Sequence, residues 1–399
     1  MKNTWRFKGN ELKYVKQVLE SGEMSGTTGN MNKRFEESFA KKVGAKYAVT
    51  FNSGTGTLHA ALDAVGVEAG DEVITTPLTV ISNADVIFAQ NAIPVFADID
   101  PETLNIDPKD IERKITNRTK AIMPVSLYGL SCDLDPIMQL AKKHNISVIN
   151  DTAQAHMATY KDQPIGSIAD ITSYSLENSK HITSGDGGVV VTNNEDYAQK
   201  MRKFGSLGYG IMKSTDGRVR ILDKSVFQDP NYKRHDAFGY NYRMPEVAAA
   251  VALAQLEKID SFIKLRIDIS KMYVDVMNDC DYLVPQKTPE GYKNTSWTCA
   301  VKYLREDVSW QDFRKKYVEY GGDGIYAAWA LLYEETLFTS DVYKKRCPWI
   351  YNDLSYKKGI CPVAEKVQPT LMQFVNNYSS IEEAKPYVMA LSKTIKYFK

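Results

Sequence analysis

From about Phe35 to Asn193 short apolar runs alternate with helix-length segments. Seven runs, Tyr47–Phe51, Glu72–Thr75, Pro94–Ala97, Ala121–Val125, Ser147–Asn150, Ile171–Ser175 and Val189–Thr192, are rich in Val, Ile, Tyr or Phe and read as strands. Thr57–Val65, Ser82–Gln90, Pro108–Ile115 and Pro136–Lys143 carry the apolar spacing of packing helices. This alternation predicts an α/β fold, with a mostly parallel seven-stranded sheet between two layers of helices. Ligands of such sheets bind beyond the carboxyl ends of the strands, so functional residues are expected just after these runs.

The pattern changes after Thr192. Glu195–Phe204 reads as a helix, and Gly205–Tyr240 as a long polar loop of the functional or interface-forming kind. Pro245–Asn278 reads as one long helix with Pro245 in its first turn. Beyond Cys280, strand patterns such as Trp297–Tyr303 mix with the helical patterns Trp310–Tyr320 and Ile381–Tyr397, as in a smaller α+β domain. The expected division is 1–255 for an N-terminal segment and the large domain, and 256–399 for the smaller one.

Composition narrows the function. With 50 Lys+Arg against 49 Asp+Glu the net charge is +1, which argues against a polyanion such as nucleic acid as partner. The five cysteines, Cys132, Cys280, Cys299, Cys347 and Cys361, are scattered without a CxxC pair, so neither a metal site nor a disulfide framework is expected. The N-terminal stretch lacks the apolar core of a signal peptide, and the Ala-rich run at 247–256 is too short to cross a bilayer. The expectation is a cytoplasmic protein with no membrane partner.

Three stretches can carry chemistry. In Ser173-Tyr-Ser175-Leu-Glu-Asn-Ser-Lys180-His181 a strand ends in Ser175, Lys180 follows on a loop, and Gly185, Gly187 and Gly188 turn the chain into the next strand. A lysine at that edge can form a Schiff base with a carbonyl if burial or neighbouring cations favour its neutral form. On its own it reads equally as a solvated turn residue. Asp151 ends an apolar strand and fits two roles evenly, partner of a protonated pyridinium nitrogen or N-cap of the next helix. Ser53-Gly54-Thr55-Gly56-Thr57 joins a strand to a helix start, where free N–H groups suit a phosphate. It matches neither GxGxxG nor GxxxxGK[ST], which counts against dinucleotide and nucleoside-triphosphate folds.

Together these supply a phosphate cup, a pyridinium partner and an amine. At this point SGTGTLHAAL, GDEVITTP, PVFADIDPETLNIDP, NDTAQAH, SKHITSGDGGVVVTNN and GYNYRMPEVAAAVALAQLEKI resemble, in order from about Ser25 to Asp260, the motifs of the DegT/DnrJ/StrS sugar aminotransferases. These belong to the aspartate-aminotransferase fold, fold type I, and depend on pyridoxal 5'-phosphate (PLP), with pyridoxamine 5'-phosphate as the amino-carrying form. The resemblance implies that Lys180 is the Schiff-base lysine and proton shuttle, and that Asp151 faces the pyridinium nitrogen. It implies Gln154 near the ring hydroxyl, and Gly54, Thr55 and Ser175 at the phosphate. Asn241, in GYNYRM, matches an asparagine that reaches the cofactor phosphate of a neighbouring subunit, implying a homodimer with shared active sites.

Two departures from the family pattern stand out. Val80 occupies the place where the family usually has an aromatic over the cofactor ring, and Gly324-Ile-Tyr326-Ala-Ala-Trp329 replaces an Arg-containing stretch near the substrate pocket. His181, Tyr326 and Trp329 are candidate substrate contacts. Arg218, Arg220, Lys233 and Arg234 on the polar loop are candidates for acceptor phosphates, with a solvated loop as the equal alternative. The implied reaction is transfer of an amino group from L-glutamate to a keto group of a nucleotide-linked sugar. The alternatives are a small phosphorylated ketose or other non-nucleotide keto-sugar as acceptor, a sugar dehydratase, which the presence of Lys180 disfavours, and a relative that has lost turnover.

Overall fold

The computed structural model describes residues 3–219, 223–278 and 280–399. Its strands are β1 (Tyr47–Phe51), β2 (Glu72–Thr75), β3 (Ile93–Phe96), β4 (Thr119–Met123), β5 (Ser147–Asp151), β6 (Thr159–Tyr160), β7 (Gln163–Pro164), β8 (Ile171–Ser175), β9 (Gly188–Thr192), β10 (Leu283–Pro285), β11 (Cys299–Tyr303), β12 (Ile325–Ala327) and β13 (Leu371–Phe374). Seven of them form one sheet in the order β1-β9-β8-β5-β4-β2-β3. Pairings from β8 across to β3 are parallel, and β9 alone runs against its two neighbours. Apolar side chains cover both faces, Phe51, Leu62 and Val190 in one core cluster and Ile122, Ile137 and Val148 in another. The expected mostly parallel seven-stranded sheet is therefore present.

The second sheet is antiparallel, in the order β10-β11-β13-β12. The helices Ile259–Met277 and Ile381–Tyr397 share a core cluster with its strands. Between β12 and β13 the chain leaves this sheet: Tyr333, Phe338, Tyr343 and Tyr351 pack with Phe88 and Phe96 of the large sheet's flank. Among the described residues no helix is long and apolar enough to cross a membrane, and all five cysteines are free.

Two boundaries differ from expectation. The single helix expected over 245–278 is two, Glu246–Leu256 and Ile259–Met277. The first is buried around most of its circumference, whereas the second buries Ile259, Phe262, Ile263, Arg266, Ile269, Tyr273 and Met277, a single stripe at helical spacing. The break at Glu257–Lys258 lets the chain pass from one packing regime to the other. Its side chains are tied to the N-terminal helix, with Tyr14 and Asn10 donating to Glu257 and Lys258 donating to Glu11 and the Arg6 carbonyl.

The helix after β1 starts at Gly54, three residues before the expected Thr57, because the Ser53 hydroxyl caps it by accepting from the Gly56 N–H at 3.0 Å. This shift puts Gly54 and Thr55 in the first turn, where backbone N–H groups have no acceptor further back in the helix.

Candidate active site

A cavity of about 780 Å³ lies between the carboxyl edge of the large sheet and the antiparallel sheet. That is ample for a cofactor and a small substrate together. Gly54, Thr55, Asp151, Gln154, Ser175, Lys180, Tyr326, Trp329 and Val80 all line it.

The first wall is the start of the helix Gly54–Ala64. A Cβ on Gly54 would stand 2.9 Å from the Ser175 Cβ, so only glycine lets this turn close on the end of β8. The Thr55 hydroxyl donates to or accepts from Ser82 at 2.9 Å, and Thr57 pairs with Ser173 at 2.6 Å. Backbone N–H groups, small residues and hydroxyls converge here without an acid among them, which is the chemistry an anion requires.

Asp151 is the last residue of β5 and is only 2 % exposed. Its carboxylate accepts from the Ala153 N–H at 2.9 Å. Burial raises its pKa, while that N–H and the Lys180 ammonium pull the other way. No arginine or lysine forms an ion pair with it among the described residues, so it is suited to a cationic ligand atom. The N-cap alternative is not what the structure shows, because no helix begins at residue 152. Gln154 accepts from the Tyr128 N–H at 2.9 Å, a bond that fixes its amide at the cavity wall.

Lys180 sits on the loop between β8 and β9, closed at its base by Leu176 N–H donating to Gly187 O at 2.8 Å. Its Nζ lies 4.6 Å from the centre of the Trp297 ring. Burial is the main cause of a lowered pKa, Arg266 adds to it, and Asp151 and Glu177 oppose it. Part-buried at the cavity wall with its Nζ over an indole, Lys180 differs from a fully solvated turn residue. Its amine is moved toward the neutral, nucleophilic form.

His181 is a correction. It was a candidate substrate contact, yet it is 1 % exposed and does not line the cavity; its Nε2 meets the Thr295 carbonyl at 3.0 Å. The ring lies 5.3 Å from that of His156, and burial holds both well below the ordinary histidine range, His156 at about 3.

Tyr326 and Trp329 stand on the rim, 65 % and 53 % exposed. Asn241 is exposed, its backbone bridged to Ser206, and lies outside this chain's cavity. The loop cations are also elsewhere: Arg218 is paired with Asp216 at 2.5 Å, Arg234 donates to the Phe227 carbonyl, and Lys233 is exposed. Arg220 lies outside the described residues.

A model of the DegT/DnrJ/EryC1/StrS aminotransferases matches residues 6–374. The chain belongs to that family. GDP-perosamine synthase of Caulobacter vibrioides is 41% identical over 262 residues, 65% of this chain and 65% of that protein. GDP-perosamine synthase of Escherichia coli O157:H7 is 40% identical over 293 residues, 73% of this chain and 75% of that one. An aminotransferase from Psychrobacter cryohalolentis superposes with a TM-score of 0.86 at 30% identity, covering 97% of this chain and 96% of the other. Membership makes the chain an enzyme of the PLP-dependent transaminase class, and the two-sheet architecture is the family's fold type I.

Sequence reasoning missed several members of this site. Trp297 and Arg266 line the cavity beside Lys180, although they lie far along the chain on the antiparallel unit. Asn376 accepts from Arg266 at 3.1 Å. Arg6 comes from the N-terminal 3-10 turn Asn3–Phe7 and is fully buried. None stands near a recognisable motif; the one available signal was an arginine falling on the buried stripe of an amphipathic helix.

Proposed function

We propose that the chain transfers an amino group from L-glutamate to the keto carbon of a nucleotide-linked sugar, with PLP as cofactor and pyridoxamine 5'-phosphate as its amino-carrying form. The observation that carries this reading is the meeting, in one cavity, of a desolvated Lys180 amine, a buried and unpaired Asp151 carboxylate, and the glycine-hydroxyl turn at Gly54–Thr55. These residues fit the cofactor: the turn and Ser175 would hold its phosphate, Asp151 its ring nitrogen, Gln154 its ring hydroxyl and Lys180 its aldehyde. When bound, PLP supplies an electron sink that stabilises a carbanion on the amino-bearing carbon.

The protein's own residues do the rest. Lys180 would meet the cofactor aldehyde as a neutral amine and hold or move a proton at the substrate carbon, and burial lowers its pKa in the direction both tasks need. Asp151 would face the protonated ring nitrogen, a cation that would offset the burial raising its pKa. Val80, on the cavity wall, would offer the ring an aliphatic surface without a π face. The Tyr326 and Trp329 rings offer amphipathic faces to a sugar at the rim.

Two relatives are GDP-perosamine synthases, which supports a nucleotide-linked acceptor. The exposed Asn241, outside its own chain's cavity, supports a homodimer in which it serves the neighbouring site. A cytoplasmic setting belongs to the same reading, in keeping with five unpaired thiols.

The test is spectroscopic. The purified protein should carry the visible band of bound PLP, lose it on adding L-glutamate and regain it with a nucleotide-linked keto-sugar. Lys180→Ala should fold and bind cofactor but complete no turnover. A band that persists in glutamate removes that donor, and unchanged turnover in Lys180→Ala overturns the mechanism.

A further inference from the structure

The loop that carries Lys180 is gripped from behind by two buried arginines that form no ion pair among the described residues. Arg6 donates to the carbonyls of Asn178 at 2.7 Å, Lys180 at 2.6 Å and His181 at 3.1 Å. Arg266 donates to the carbonyls of Trp297 at 2.7 Å and of Ser179 and Lys180 at 3.4 Å. The Trp297 indole N–H adds a bond to the Ser179 carbonyl at 3.0 Å. All four carbonyls from residue 178 to residue 181 thus end on donors from three distant parts of the chain.

Both guanidinium groups are almost fully buried, at 0 % and 3 % exposure, and neither has an ion-pair partner among the described residues. Buried charges normally come with a counter-charge, because an unpaired one is costly to desolvate. A pair of buried cations held by backbone carbonyls and the one amide oxygen of Asn376 is a costly way to pin a loop if pinning is all that is needed; neutral amides would serve. Arg6 is itself built in. Its carbonyl accepts from Gln255 and Lys258 at 2.7 Å each, and the adjoining Trp5 packs edge-on against Phe262.

We propose that Arg6 and Arg266 are positioning residues for Lys180: they fix the backbone from which its amine projects over Trp297, and the buried Arg266 charge disfavours a proton on that amine. The inference rests on the assignment of Lys180 as the reacting amine. The groups facing Lys180 make the sign clear. Asp151 and Glu177 favour the ammonium, and Arg266 disfavours it. Burial lowers the pKa of both His156 and His181, so Arg266 is the cationic side of the balance. The released amine must find the same place each cycle, and a loop anchored at four consecutive carbonyls has little freedom to lose it.

The test uses the full chain with cofactor bound, and again after the cofactor is stripped. Arg266→Met removes the charge and the hydrogen bonds to the Ser179, Lys180 and Trp297 carbonyls; Arg266→Lys restores the charge alone. One readout is the pH midpoint of the visible band of the holoenzyme. The other is the pH profile of Lys180 acetylation in the stripped protein, read by peptide mass. In Arg266→Met the acetylation midpoint should move upward, with labelling about tenfold slower near neutral pH, the effect of about one unit in pKa. Arg266→Lys should recover most of the shift.

Midpoints that match the unaltered protein in both forms, with only the melting temperature lowered, would reduce the arginines to structural ties and overturn the proposal. If Arg266→Met does not fold, Arg266→Gln is read in the same way; this variant loses the charge but keeps a donor for the carbonyls. A displaced band at an unchanged acetylation midpoint would then leave the positioning half standing and remove the electrostatic half. A protein that shows no PLP band in its unaltered form would instead sink the reading of Lys180, whatever the variants do.

Discussion

His59 shows how one buried side chain ties stability to acidity. It is 5 % exposed, packs edge-on to Phe204 and meets the Tyr242 hydroxyl at 3.2 Å. Burial, with Arg346 adding to it, lowers its pKa to about 4. An imidazole in the unfolded chain takes up its proton near pH 6.5, so below that pH the unfolded state binds more protons and the folded state loses ground until about pH 4. His59→Gln removes this term. Between pH 7 and pH 5 the unaltered protein should lose about 2 kcal/mol more than the variant, measured by urea unfolding at each pH. Equal losses in the two proteins would mean that His59 ionises freely in the fold. Asp63, whose carboxyl is raised to about 6 by burial, acts in the opposite direction, and for that reason the comparison is with the variant and not with the raw pH profile.

Residue identity explains part of what was legible in the chain. Asp151 ends one strand, the Gly54–Thr55 turn closely follows another and Lys180 lies on the loop after a third, at the sheet edge where ligands of parallel sheets bind. His181 misled because sequence adjacency says nothing about which side of a loop a side chain takes. Arg6, Arg266 and Trp297 were invisible for the complementary reason. Their partners are backbone carbonyls, which leave no mark on the sequence at either end.

Among the elements, the helix Gly54–Ala64 does most to build the cavity. Its first turn touches Ser175 of β8, and Gly54 is the residue that allows this approach. Gly54→Ala would force a Cβ to 2.9 Å from another, so the helix start and the strand end must separate. Overpacking of this kind costs about 1–3 kcal/mol. The expected outcome is a lower melting temperature together with weaker retention of PLP on dialysis. Full retention would show that the turn tolerates the movement and that the phosphate is held by other groups.

Element type was read well wherever one face was clearly buried, as in the seven strands and in Glu195–Phe204. The long helix was misjudged because its two halves are both apolar enough to continue one another, and the break depends on Glu257 and Lys258 bonding to the N-terminal helix far away in sequence. The start of Gly54–Ala64 was missed by one turn because the glycines that open it carry no side chain to show a periodicity.

For the molecule as a whole the open question is what Asn241 faces. It lies outside its own cavity, and no lysine or arginine on the cavity wall other than Lys180 and the carbonyl-bound Arg266 is available for an anionic substrate among the described residues. A shared site explains both. Asn241→Ala and Lys180→Ala, each inactive alone, should complement when unfolded and refolded together. In a C2 dimer half the pairs are mixed and each mixed pair keeps one intact site, giving about a quarter of native activity. No recovery, with mixed dimers present by mass, would place Asn241 in its own subunit's chemistry or in none.

The reversed direction of β9 has a further consequence. A parallel strand beside β8 would have required a crossover of about a dozen residues or more, normally a helix, passing over one face of the sheet. Because β9 turns back instead, the chain leaves and re-enters the sheet at the same edge, with Ser175 opposite Gly188. The Lys180 amine, the proposed reacting nitrogen, thus rides on a span whose two ends lie side by side at the sheet edge, while the rim residues Tyr326 and Trp329 come from a separate part of the chain.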